Sequence, residues 1–205
     1  EYDLKDMHFC LNGQQLEFKT TGAYFGVAKN TALSLCDCET DGTNGKLINN
    51  WFYESGVFSV GGAFTMYGGE INGNAYGVSM ADTAKFEMFG GKLSGSRINL
   101  DMSSGGEFII HPGIEVFDIA HTGLLISSES KLTFAENDNW TGSNTKIKID
   151  FTGFSLPGVN DEGMEIKSGL ANDYSSFFVS KDVDYVVANK VEDDSTNTLL
   201  LRNSG

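Results

Sequence analysis

The motif F-x-M-x-G-G-x-[I/L]-x-G occurs twice at an offset of 22 residues, and it limits what this chain can fold into more than any other feature. The first copy runs Phe64-Thr65-Met66-Tyr67-Gly68-Gly69-Glu70-Ile71-Asn72-Gly73. The second runs Phe86-Glu87-Met88-Phe89-Gly90-Gly91-Lys92-Leu93-Ser94-Gly95. A third begins on schedule at Phe108-Ile109-Ile110-His111-Pro112-Gly113, with Pro112 replacing the first glycine, and then decays. A fixed period of about 20 to 50 residues marks stacked supersecondary units, each burying its apolar face against the next.

A wider pattern surrounds the motif. An apolar-x-apolar pair is followed, six residues on, by another: Phe25/Val27 by Leu33/Leu35, Val78/Met80 by Phe86/Met88, Leu100/Met102 by Phe108/Ile110, and Leu124/Ile126 by Leu132/Phe134. One unit departs from this spacing, since Val60 precedes Phe64 by only four. Alternation over so few residues reads as strand, and a constant period requires each turn to lie directly over the last. The expected inward columns are Phe64, Phe86, Phe108 and Leu132; Met66, Met88, Ile110 and Phe134; Val78, Leu100 and Leu124; and Met80, Met102 and Ile126. The last turn is delayed by two residues, expected within 113–123. Gly68-Gly69 and Gly90-Gly91 supply positive φ at a corner, after which Ile71 and Leu93 begin the next side.

The fold class is therefore all-β: a three-sided parallel β-helix with three short strands per turn. An antiparallel sandwich shares the short strands but imposes no constant period. Helix turns are expected over 1–145. Beyond them, Ile147-x-Ile149-x-Phe151, Phe177 to Val179, Val183 to Val191 and Leu199 to Leu201 are expected strands of a C-terminal β cap over 146–205, which shields the exposed end of the solenoid.

Composition narrows the function classes. Lys and Arg number 14 against 28 Asp and Glu, a formal charge of −14. Such a surface repels nucleic acid and anionic headgroups, so a nucleic-acid partner is excluded. No apolar run approaches the ~20 residues that span a bilayer, so membrane insertion is not expected. The chain opens at Glu1 without a signal-peptide pattern and is expected to be a mature or excised piece. Cys36-Asp37-Cys38 lacks a second pair at zinc-ligand spacing, so spacing supplies no metal site. Either one bridge from Cys10 to Cys36 or Cys38, or three unpaired thiols, fits the sequence. No cofactor motif is present.

The repeats, above all F-T-M-Y-G-G-E-I-N-G-N at 64–74, resemble those of right-handed β-helix surface proteins of anaerobic and gut bacteria. A looser relative occurs in polymorphic outer-membrane adhesins. The likeness covers about 50 residues closely and 22–135 in weaker form. It implies a right-handed solenoid at the cell surface or outside the cell, serving as stalk, adhesin or carbohydrate-contacting module. Architecture is what such a repeat specifies, because one solenoid frame hosts many ligands.

Candidate ligand-binding residues follow from the outward positions. Tyr67 and Phe89 occupy the same place on successive turns, with His111 next, and are expected to stack into a ladder that can receive sugar rings or a protein partner. Trp51 and Tyr53, flanking Phe52, form a second aromatic cluster. His111 and His121 lie in one turn with Glu115 and Asp118 between them. A hydrolase would need two carboxylates facing a groove, and no outward column stacks two acids, so no catalytic residue is assigned. The expected activity is adhesion or recognition of a glycan or of a host or neighbouring surface protein. The alternatives are a polysaccharide lyase or glycoside hydrolase, or a fibre subunit that self-associates end to end.

Overall fold

Parallel strands wind into a β-solenoid of about five turns, three strands to a turn. The computed structural model describes residues 7–19, 23–38, 44–50, 56–73, 75–192 and 195–205. Turn one comprises β1 (Met7–Cys10), β2 (Gln15–Phe18) and β3 (Ala23–Val27); turn two, β4 (Ala32–Cys36), β5 (Lys46–Asn49) and β6 (Gly56–Val60). Turns three and four carry the two full motifs. They comprise β7 (Ala63–Met66), β8 (Glu70–Gly73) and β9 (Tyr76–Met80), then β10 (Lys85–Met88), β11 (Lys92–Ser94) and β12 (Ile98–Met102). Turn five is β13 (Gly106–Ile110), β14 (Glu115–Val116) and β15 (Thr122–Ile126), and β16 (Ser130–Phe134) and β17 (Lys146–Phe151) begin a sixth.

The first strands of the turns stack in parallel as one side of the solenoid, β1-β4-β7-β10-β13-β16. The second and third strands form the other two sides. These merge at the end, because the first half of β17 pairs with β14 and its second half with β15. Beyond it, β18 (Met164–Leu170), β20 (Tyr185–Val191) and β21 (Asn197–Asn203) make an antiparallel sheet, while β19 (Phe178–Ser180) adds to β17. Of these, β18 was not foreseen, because its mixed polar pattern carries no clean period.

The inward columns are those the period predicts. Phe64 is the register partner of Phe86, Phe86 of Phe108, and Phe108 of Leu132, with all four buried. Adjacent coils lie about 4.8 Å apart, which is also a favourable distance for offset aromatic stacking. Accordingly the rings of Phe64, Phe86 and Phe108 stack with centroids 4.9 and 5.3 Å apart. The stack then crosses the interior to Phe58, 4.5 Å from Phe64, and continues to Phe25 on the third side. Where the first side carries Leu33, the third carries Phe58, and where the first carries Phe64, the third carries Val78. From the second turn to the fifth, one large ring per turn, Phe58, Phe64, Phe86 and Phe108 in succession, keeps the cross-section filled.

The corners explain the spacing. Gly69, Gly91 and Gly113 all adopt positive φ. The preceding positions do not, which is why Pro112 can stand where Gly68 and Gly90 stand. The two-residue delay is divided between corners: Leu93 pairs with Val116 and Leu100 with Leu124. The short link from Val60 to Phe64 passes under the Ala28–Thr31 turn, and a Cβ on Gly62 would meet Ala28 O at 2.3 Å.

The C-terminal end of the interior is closed by rings. Tyr174 stacks on Phe134 at 4.2 Å, and Trp140 packs edge-on to Tyr174 at 4.8 Å while donating its indole N–H to Ala135 O. Burial, first of all, raises the Tyr174 hydroxyl above its ordinary value; the hydrogen bond from Asn172 opposes this and the charge of Glu136 adds to it.

Candidate functional site

Tyr67, Phe89 and His111 follow the last residue of β7, β10 and β13, whose inward Met66, Met88 and Ile110 are register partners. The column therefore points outward by alternation. Tyr67 and Phe89 stack with centroids 5.0 Å apart and 15° between planes, and Phe89 and His111 at 3.9 Å and 29°. Tyr67 is 55% exposed and Phe89 40%, whereas His111 is 8% exposed. The ladder thus offers two rings to solvent. Its third rung is a foundation: His111 Nε2 lies 3.1 Å from Glu87 Oε1 and Nδ1 2.6 Å from Asp138 Oδ2, tying the 135–145 loop to β10.

Next along the chain come the glycine corners, which floor a cleft of about 520 Å³ running along the solenoid axis. Gly68, Gly69, Gly91 and Gly113 form its base, with Asp37 and Asn44 towards one end and Asn144 towards the other. Gly69 and Gly91, both at positive φ, are the corners that require glycine. A Cβ on Gly91 would meet Gly69 O at 2.6 Å, and one on Gly69 would meet the Leu11 side chain at 2.7 Å. Side-chain-free corners let neighbouring coils close up and leave open space above them.

The far bank is charged. Lys46, Glu70, Lys92, Glu115 and Lys146 are consecutive register partners along the second side, an alternating ladder that places unlike charges on adjacent coils. Lys46 Nζ lies 2.8 Å from Glu70 Oε2, and Lys92 Nζ lies 3.0 Å from Glu115 Oε1. Burial works to raise the Glu70 carboxyl, but hydrogen bonds from Lys46 and Ser94 and the charges of Lys46 and Lys92 outweigh it, holding the group below its ordinary range. This ladder went unread in the sequence, although Glu70 and Lys92 occupy the same place in the two motifs.

No protein-family model, curated protein or solved structure shows significant similarity to the chain.

Trp51 and Tyr53 lie outside the described residues. His111 and His121 are not brought together, since His121 Nδ1 faces Asp118 Oδ1 at 3.2 Å. Asp118 also accepts from Ala120 and Gly95 N–H groups. Burial raises its carboxyl, and these two hydrogen bonds with His121 bring it below the ordinary value. Asp101 accepts from Ser103 N at 2.9 Å.

Proposed function

We propose that the protein is a non-catalytic recognition module of the cell surface or extracellular space that binds a glycan along the glycine-floored cleft. The observation that carries this reading is the exposed Tyr67–Phe89 stack, whose rings precede the cleft-floor glycines Gly68 and Gly91 by one and two residues on successive coils. Both faces of Phe89 are covered by Tyr67 and His111, so a sugar meets the exposed ring edges of the ladder and the outer face of Tyr67, and polar groups opposite them fix its hydroxyls. The coil repeat of about 4.8 Å gives an extended chain of sugars regularly spaced contacts along the axis.

Glu70 supports binding over hydrolysis. A general acid needs its carboxyl raised towards neutrality. That of Glu70 is lowered, and Glu115 is paired with Lys92. The net charge of −14 favours neutral or basic glycans over polyanionic ones.

The test is a glycan screen with the intact chain, repeated with the Tyr67→Ala/Phe89→Ala double variant. Loss of about tenfold or more in affinity, with the far-ultraviolet β signal unchanged, is the expected result. Undiminished binding by the double variant removes the reading.

A further inference from the structure

The outward column that holds Tyr67, Phe89 and His111 continues the other way into sulfur. One residue past the Leu35–Met66 pair, the register sets Cys36 on the coil before Tyr67, and Cys10 is the partner of Cys36 on the first coil. Cys38, two residues on, returns to the same side of the extended chain as Cys36. Between them Asp37 is turned away, its Oδ1 accepting from Gly13 N at 2.8 Å and its Oδ2 from Gly45 N at 2.6 Å. The three sulfurs all lie within 4.8 Å of one another at the surface, and Cys36 Sγ is 3.4 Å from Cys38 Sγ. Among the described residues this is the one group of three His, Cys, Asp or Glu side chains close enough to share an ion.

We propose that the reduced protein holds a thiophilic d¹⁰ cation such as Zn²⁺ on the thiolates of Cys10, Cys36 and Cys38. Zinc–sulfur bonds of about 2.3 Å at tetrahedral angles separate sulfurs by about 3.8 Å, so the cluster needs only small side-chain rotations to close on an ion. Spacing in the sequence lacks the second pair of a zinc motif; the solenoid register brings the missing thiol from one coil away. Both oxygens of Asp37 are committed to backbone N–H groups, so the fourth ligand is water or a group supplied from outside, as in an exchangeable site.

Oxidation competes for the same atoms. The structure shows the oxidised form, with Cys10 and Cys38 joined as a disulfide and Cys36 free. A small-molecule disulfide RSSR accomplishes this in a balanced exchange: the two thiols lose two electrons and two protons, the S–S bond forms, and two RSH leave. Metal then has one thiolate where it had three, and is released.

The experiment compares the full chain, reduced and then freed of reductant under anaerobic conditions, with the oxidised chain and with Cys36→Ser. Zn²⁺ affinity is read by competition with a chromophoric chelator, and Cd²⁺ is the optical probe through its thiolate charge-transfer absorption. The reduced wild type is expected to take up one ion with a three-thiolate band. The oxidised chain and reduced Cys36→Ser are each expected to bind at least about tenfold more weakly. Oxidised Cys36→Ser keeps its disulfide, and its melting curve, matched to that of the oxidised wild type, separates loss of the site from loss of the fold. Equal affinity of reduced wild type and reduced Cys36→Ser, or absence of the band, overturns the proposal.

Discussion

Lys46 on β5 and Glu70 on β8 are register partners on neighbouring coils, and their charged ends meet at 2.8 Å. Ser94 on the coil beyond donates to the other oxygen of Glu70 at 2.7 Å. One carboxylate therefore links three turns. Because its carboxyl is lowered from the ordinary 4.5 on folding, its stabilisation is fully present above that value and is lost as pH falls through the depressed folded value. Glu70→Gln is expected to destabilise the chain by about 1 kcal/mol at neutral pH. Urea midpoints measured against pH should show the gap between the two proteins closing below about pH 4.5; a gap that widens towards acid would refute the assignment.

The alternating ladder also sets register. A slip of one whole coil would put lysine on lysine and glutamate on glutamate, at a cost the correct pairing avoids. Lys92→Glu places three acids in succession between Lys46 and Lys146. It is expected to cost more than Lys92→Gln, and raised salt should narrow the difference by screening. Thermal melts of both variants at low and high ionic strength decide this.

Phe86 is wholly buried between Phe64 and Phe108. Phe86→Ala removes a ring from the middle of a stack whose backbone cannot collapse, and is expected to cost about 3–5 kcal/mol. Phe89→Ala, three residues on but outward, should cost about 1 kcal/mol or less. Equal losses in chemical denaturation would contradict the inward and outward assignment.

Gly68 and Gly69 are neighbours with different duties. Gly69 has φ +85, and a Cβ there would strike Leu11, whereas at Gly68 the nearest atom to an added Cβ is 3.6 Å away. Gly69→Ala is expected to destabilise by about 1–3 kcal/mol and Gly68→Ala by less than about 0.5 kcal/mol. Comparable losses from the two would show that the corner is not what demands glycine.

Trp140 and Tyr174 close the last turn over Phe134. Trp140→Ala is expected to cost about 2 kcal/mol or more. Hydrogen exchange should accelerate first in β16 and β17, next to the opened end, and only later in β10 and β13. Uniform acceleration along the solenoid would mean that the cap does not act locally.

The sequence by itself determined the period, and with it the three-sided solenoid, the Phe and Met columns and the outward Tyr67–Phe89 pair. The physical reason is that inward positions recur on every coil, so each repeat states its burial in its own residues. Tertiary structure decided what depends on which unlike elements meet. The 135–145 loop returns Asp138 to His111, burying the histidine that the period alone would leave on the outward face. The register sets Cys10 beside Cys36, and β17 crosses a corner to join two sides. None of these contacts repeats, so none leaves a period to be read; each exists only once the coils have stacked and distant segments have been brought to the same few ångströms.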